Sequence, residues 1–118
     1  MNATPLEQAE CRTFVEYLEL LQKQGKIGLF THSSNETYTK SWKIKNRNKA
    51  MGVRAGMPDY LICLPAHKTL LFIEMKRVKG GTLTVEQKAW LKMLNECGVI
   101  ALVAKGFDEA NAILERYV

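Results

Sequence analysis

The chain is short of several things, and each shortage removes a class of protein. Its three cysteines, Cys11, Cys63 and Cys97, are odd in number and far apart, with no CxxC or Cys/His ligand spacing. That pattern argues against a zinc site and leaves the thiols as small buried groups. No apolar run approaches the roughly 18 residues of a membrane span. The opening residues "MNATPLEQAE" lack the basic and apolar regions of a signal peptide, so a cytoplasmic protein is expected, in a host cytoplasm if the source is viral. Internal repeats, low-complexity tracts and a composition break are also lacking, and residues 1–118 are expected to form one domain without membrane attachment. The most telling shortage is local: between Thr37 and Pro58 there is no Asp or Glu.

What fills that stretch is basic. Lys40, Lys43, Lys45, Arg47, Lys49 and Arg54 alternate with polar residues, and Tyr38 and Trp42 lie among them. The net charge is +5. A phosphate backbone is a natural partner for such a segment; the alternative is a solvated basic loop with no ligand. Trp42 could stack on a base or pack the loop.

Along the chain, "TPLEQAECRTFVEYLELLQKQG" reads as a helix. Thr4 is its expected N-cap, Pro5 suits the first helical position and Glu7 completes a capping box. Leu6, Phe14, Val15, Leu18 and Leu21 recur at helical spacing, and Gly25 ends the element. "IGLFTH" predicts a short strand ending near His32. "SSNETYTKSWKIKNRNKAMGVRAGM" predicts a long, partly ordered loop. "DYLICL" and "TLLFIEMK" predict two strands joined by "PAHK" as a hairpin connection. "TVEQKAWLKMLNECG" predicts a second helix with Thr84 as N-cap and Gln87 at the capping-box position. "VIALVA" predicts a buried strand, and "FDEANAILERYV" a closing helix with Asp108 as N-cap. Because a crossover helix precedes it, the last strand can run parallel to the strand before that helix, giving a mixed sheet with helices against it. Trp90, Leu91 and Leu94 are expected in the core.

Charge falls where burial is expected. Strand alternation puts Phe72, Glu74 and Lys76 on one face and Leu71, Ile73 and Met75 on the other. Folding the hairpin about His67 sets Asp59 opposite Met75, or opposite Glu74 if the centre moves by half a residue. Either register brings the two carboxylates near one end of the sheet. Close carboxylates stay ionised most cheaply around a cation or beside an ammonium. Two hard oxygen ligands suit Mg²⁺ or Mn²⁺, and Lys76 could stabilise a phosphoryl oxygen or an attacking water. The competing reading is a structural ion pair at a solvated strand end. His32 could contact substrate or simply end its strand, and Lys79 follows the second strand as a further candidate for phosphate.

"GMPDYLIC" followed by "LLFIEMK" resembles the proline-aspartate and glutamate-x-lysine elements of the PD-(D/E)xK nuclease superfamily. More narrowly, "GVRAGMPDYLI…FIEMKRVKGGTLTVEQKAWLKML…G", with "HSSNE" and the first helix's E-x-x-E, resembles the VRR-Nuc family of replication–repair nucleases. The resemblance implies an α/β, restriction-endonuclease-like mixed sheet flanked by helices. It implies Asp59, Glu74 and the Met75 backbone carbonyl as metal ligands, Lys76 as transition-state stabiliser, and Gln87 pointing at the same centre. Glu7 or Glu10 would complete the site; Glu7 aligns with the family's leading glutamate but is also explained as a cap, whereas Glu10 is not. Cys11 stands where the family often has glutamine. The implied activity is a Mg²⁺- or Mn²⁺-dependent DNA endonuclease, a homodimer resolving four-way (Holliday) junctions. A nuclease of flap or nicked-duplex specificity, a catalytically silent nucleic-acid-binding module and an interaction protein are the alternatives.

Overall fold

The computed structural model describes residues 5–33 and 41–118, with the backbone alone for 5–8. The expected Thr4 cap, the Glu7 side chain, Tyr38, Lys40 and the Asn–Glu part of "HSSNE" lie outside the described residues.

Helix α1 spans Pro5–Lys23 and β1 spans Phe30–His32. Helix α2, Trp42–Ala50, is followed by β2, Tyr60–Leu64. A 3-10 turn at Pro65–His67 leads into β3, Thr69–Lys76. Helix α3 (Val85–Glu96), β4 (Ile100–Lys105) and α4 (Phe107–Glu115) complete the chain. The four strands lie in sequence order, the first three antiparallel and β4 parallel to β3. This is the mixed α/β sheet flanked by helices expected from the crossover.

One face of the sheet carries the main core. Tyr60, Ile62 and Leu64 of β2 and Leu71 and Ile73 of β3 are buried there against Phe14, Leu18 and Leu21 of α1 and Ala110, Ile113 and Leu114 of α4. The α1 residues recur at helical spacing, and each such side chain contributes about 1.5–3 kcal/mol on burial. Phe14 meets Tyr60 edge to face with ring centroids 5.0 Å apart. The opposite face holds Phe72 and Glu74. There α3 is tied to β4 by the Asn95 amide, which donates to Ala101 O and accepts from Ala101 N–H. Trp90, Leu91 and Leu94 are half-buried on this side rather than enclosed.

Three expectations are corrected. The stretch read as a loop contains α2, which no apolar stripe announces because none of its residues is buried. Its ends explain it. The Ser41 hydroxyl accepts the Ile44 N–H, Arg47 and Lys49 complement the C-terminal dipole, and the Arg54 guanidinium donates to Lys49 O and Val53 O. Helix α4 begins two residues earlier than an Asp108 cap implies, with Gly106 at its N-cap, because Gly106 takes a positive φ of 86° to leave β4. Asp108 instead sits in the first turn, where its charge suits the dipole. Cys97 is exposed at the α3 C-cap, and Cys11 and Cys63 are half-buried, so the thiols are not uniformly core groups. Among the described residues no helix is long and apolar enough to cross a membrane.

Candidate active site at the β2–β3 carboxylates

The hairpin register decides the geometry. Tyr60 pairs with Ile73, so one step further along Asp59 lies opposite Glu74 and on the same face of the sheet. The Asp59 carboxylate is anchored there: its Oδ2 accepts the Met75 N–H at 2.8 Å. Glu74 is the only charged residue buried among the described residues, at 3% exposure.

Burial raises the Glu74 carboxyl from 4.5 to about 8; the charge and hydrogen bonding of Asp59 push it the same way, and Lys76 opposes them. The Lys76 ammonium stands 3.8 Å from Glu74 Oε2. The same oxygen accepts from the Gln87 amide at 3.3 Å. Glu74 Oε1 is buried, and among the described residues no amide, ammonium or hydroxyl group donates to it. A buried acceptor of this kind normally finds a donor or a cation. Oxygen donors from two adjacent strands, one of them unfilled, fit a hard divalent ion, which needs only one or two carboxylates and takes the rest of its shell from water and phosphate.

Gln87 performs both roles that its position suggests. Its Oε1 accepts the Thr84 N–H at 2.9 Å and its N–H donates to Thr84 Oγ1, closing the capping box. Its Nε2 remains free to reach Glu74, so the cap fixes the direction of the amide.

The loop that presents Asp59 is held from both sides, by Ser33 of the "HSSNE" run and by Trp90, neither of which is assigned this task from sequence. From β1, the Ser33 N–H donates to Asp59 O at 2.6 Å, and the Ser33 hydroxyl donates to Pro58 O. From α3, Trp90 Nε1 donates to Ala55 O at 2.9 Å. Gly56 adopts φ +99° directly against the first turn of α3, where an added Cβ would sit 2.6 Å from the Glu86 carbonyl carbon. Gly56→Ala is therefore expected to destabilise the fold by about 2 kcal/mol or more, through the positive φ and the clash together. Urea denaturation beside wild type reads the total, and comparison with Gly52→Ala isolates the clash, because Gly52 shares the positive φ (+95°) but a Cβ there meets nothing.

The other candidates are placed elsewhere. His32 pairs with Tyr60, and its ring meets the Tyr60 ring at 4.8 Å, on the face turned away from Asp59 and Glu74. Glu10 lines a cleft with Val78, Lys105 and Asp108 at the start of α4; Gly106, in that cleft, donates its N–H to Lys76 O. Cys11 lies against the Tyr60 hydroxyl, whose pKa is raised by burial first and by Cys11 next. Lys43, Lys45, Arg47 and Lys49 are exposed on α2, and Arg54 is exposed while it caps that helix. Lys79 is exposed in the turn after β3. Among the described residues no three His, Cys, Asp or Glu side chains come together, so any third acidic ligand must come from outside that set.

Comparison with known proteins agrees with this architecture. The family model described as "VRR-NUC domain" matches residues 4–108, a span that includes Asp59, Glu74, Lys76 and Gln87. A solved structure titled "VRR_NUC domain protein" aligns over 90% of this chain and 88% of its own, with 26% identity and a TM-score of 0.59. No curated protein gives a significant match. The chain belongs to the VRR-NUC domain family, a family of nucleases.

Proposed function

We propose that the chain is a divalent-metal-dependent DNA endonuclease that works as a homodimer and resolves four-way junctions. The observation that carries the chemistry is Glu74: a buried carboxylate facing Asp59, with no amide, ammonium or hydroxyl donor on one oxygen and an ammonium beside the other. Asp59, Glu74 and the Met75 carbonyl would hold Mg²⁺ or Mn²⁺, with Glu7, whose side chain lies outside the described residues, as a further acid. The bound ion would supply a lowered pKa for the attacking water and would offset the charge developing on the phosphate.

The chain's own residues do the positioning. The Met75 N–H keeps the Asp59 carboxylate turned to the site, and the Gln87 amide does the same for Glu74. Lys76, its side chain only 17% exposed, keeps a poorly hydrated ammonium within reach of a phosphoryl oxygen or a water. Such a preoriented cation is worth more than one free in solvent. The basic α2 supports DNA as the polymer, and a two-fold dimer would supply the two centres that symmetric cutting of a junction needs.

The test is a panel of end-labelled four-way junction, flap, nicked duplex and continuous duplex, with Mn²⁺ or with chelator. Paired symmetric cuts in the junction, only with metal, are expected. Lys76→Ala should slow them about 100-fold while junction affinity is kept. A junction left intact by dimeric protein in Mn²⁺ removes the resolvase reading; flap or nick cleavage in the same panel would replace it.

A further inference from the structure

We propose that α2 presents Trp42 as a stacking platform for an unpaired base, between two cationic rows that grip the flanking phosphates. The inference rests on the reading of the chain as a protein that acts on nucleic acid, but not on cleavage.

Trp42 is the first residue of α2 and is 74% exposed. An indole is the largest apolar surface a residue can offer, and proteins normally bury most of it. Here it serves no core, since α2 has no buried residue. The surrounding charge has one sign. Lys45 and Lys49 follow Trp42 at i+3 and i+7, so they run down its own side of the helix. The Lys45 ammonium lies 5.2 Å from the indole centroid. Lys43 and Arg47, four apart, form a second row on the other side of Trp42. No acidic residue occurs between Thr37 and Pro58 to oppose a polyanion.

An aromatic plane set between cationic rows matches a single strand, in which phosphates alternate with bases that have a free face. A continuous duplex covers those faces by stacking. A branch point, a flap or a strand end uncovers one. The rows therefore supply general affinity, and Trp42 supplies selection for DNA with an unstacked base.

Binding is measured by fluorescence anisotropy in chelator, so that no cutting intervenes. The probes are a continuous duplex, the same duplex carrying a single-stranded flap, and a four-way junction. Trp42→Ala is expected to weaken the flap or junction complex about five- to a hundred-fold, and the continuous duplex by less than about two-fold. Trp42→Phe should restore most of the loss. The double variant Lys43→Ala/Arg47→Ala should weaken all probes and shallow the salt slope by about 1.8 log units per decade. Equal losses for Trp42→Ala on every probe, or no loss on any, overturns the proposal. So does anionic phospholipid vesicle binding that depends on Trp42 while DNA binding does not. Because the measurement excludes metal, a protein that cuts nothing in Mn²⁺ but shows the Trp42 pattern would lose the nuclease reading and keep this one.

Discussion

Asp59→Ala and Glu74→Ala are each expected to reduce phosphodiester cleavage about a thousand-fold or more, while DNA affinity in chelator stays within about two-fold of wild type. The register places the two carboxylates opposite each other on one face of the sheet, and each is held by its own partners. Asp59 is held by the Met75 N–H, and Glu74 by Gln87 and Lys76. Removing either leaves a single oxygen ligand pair beside an unbalanced ammonium. Affinity should survive because the exposed cations sit on α2, a separate helix. Single-turnover cleavage of labelled junction, with anisotropy alongside, reads both quantities. Cleavage by Glu74→Ala at anything near the wild-type rate would end the proposed chemistry.

Stability is expected to fall with rising pH when no divalent ion is present, and to fall because of Glu74. Its carboxyl is raised from 4.5 to about 8, by burial first and by Asp59 next. Between those values the native state keeps a proton that the unfolded chain has released, so unfolding becomes easier as pH rises. Below the lower value both states are protonated and the loss is absent; above the upper value it is complete. Glu74→Gln should remove this component of the pH slope, since the amide cannot ionise and can donate toward Asp59. The variant should then be more stable than wild type above the upper value, while being inactive. Mg²⁺ or Mn²⁺ should flatten the wild-type slope by favouring the ionised pair. Thermal melts followed by circular dichroism from acid to alkaline buffer check all three. Parallel profiles for wild type and Glu74→Gln would show that this carboxyl does not carry the linkage.

These effects depend on a register that was half legible in advance. Alternation alone assigns Glu74 and Lys76 to one face, and the hairpin limits Asp59 to two partners. The choice between Met75 and Glu74 is made by the connection, a 3-10 turn closed by Lys68 in the left-handed region at φ 53°. Composition does not prescribe that turn. Gln87 shows a second kind of limit. Its capping-box spacing is visible in the sequence, but whether a capping amide also has a hand free for Glu74 depends on the angle at which α3 meets β3. Ser33 and Trp90 carry no local signal for their task, because a hydroxyl or an indole N–H reaching a carbonyl 25 or 35 residues away is a consequence of packing.

Helix α2 carries no periodic signal in the sequence. Hydrophobic periodicity detects helices that bury a face, and this one buries none. Its described side-chain hydrogen bonds lie at its ends, where Ser41 and Arg54 cap it, and caps leave no periodic signal.

By itself, the order of residues determined the element types with apolar periodicity, the parallel β4 after its crossover and the presence of two carboxylates and a lysine near one strand end. Those are short-range properties, set by side-chain alternation and backbone capping. Tertiary structure decided which oxygens meet, which one is left without a donor and which aromatic is left in solvent. Those depend on how separate elements dock, and docking is settled by the packing of α1 and α4 on one face of the sheet and α3 on the other.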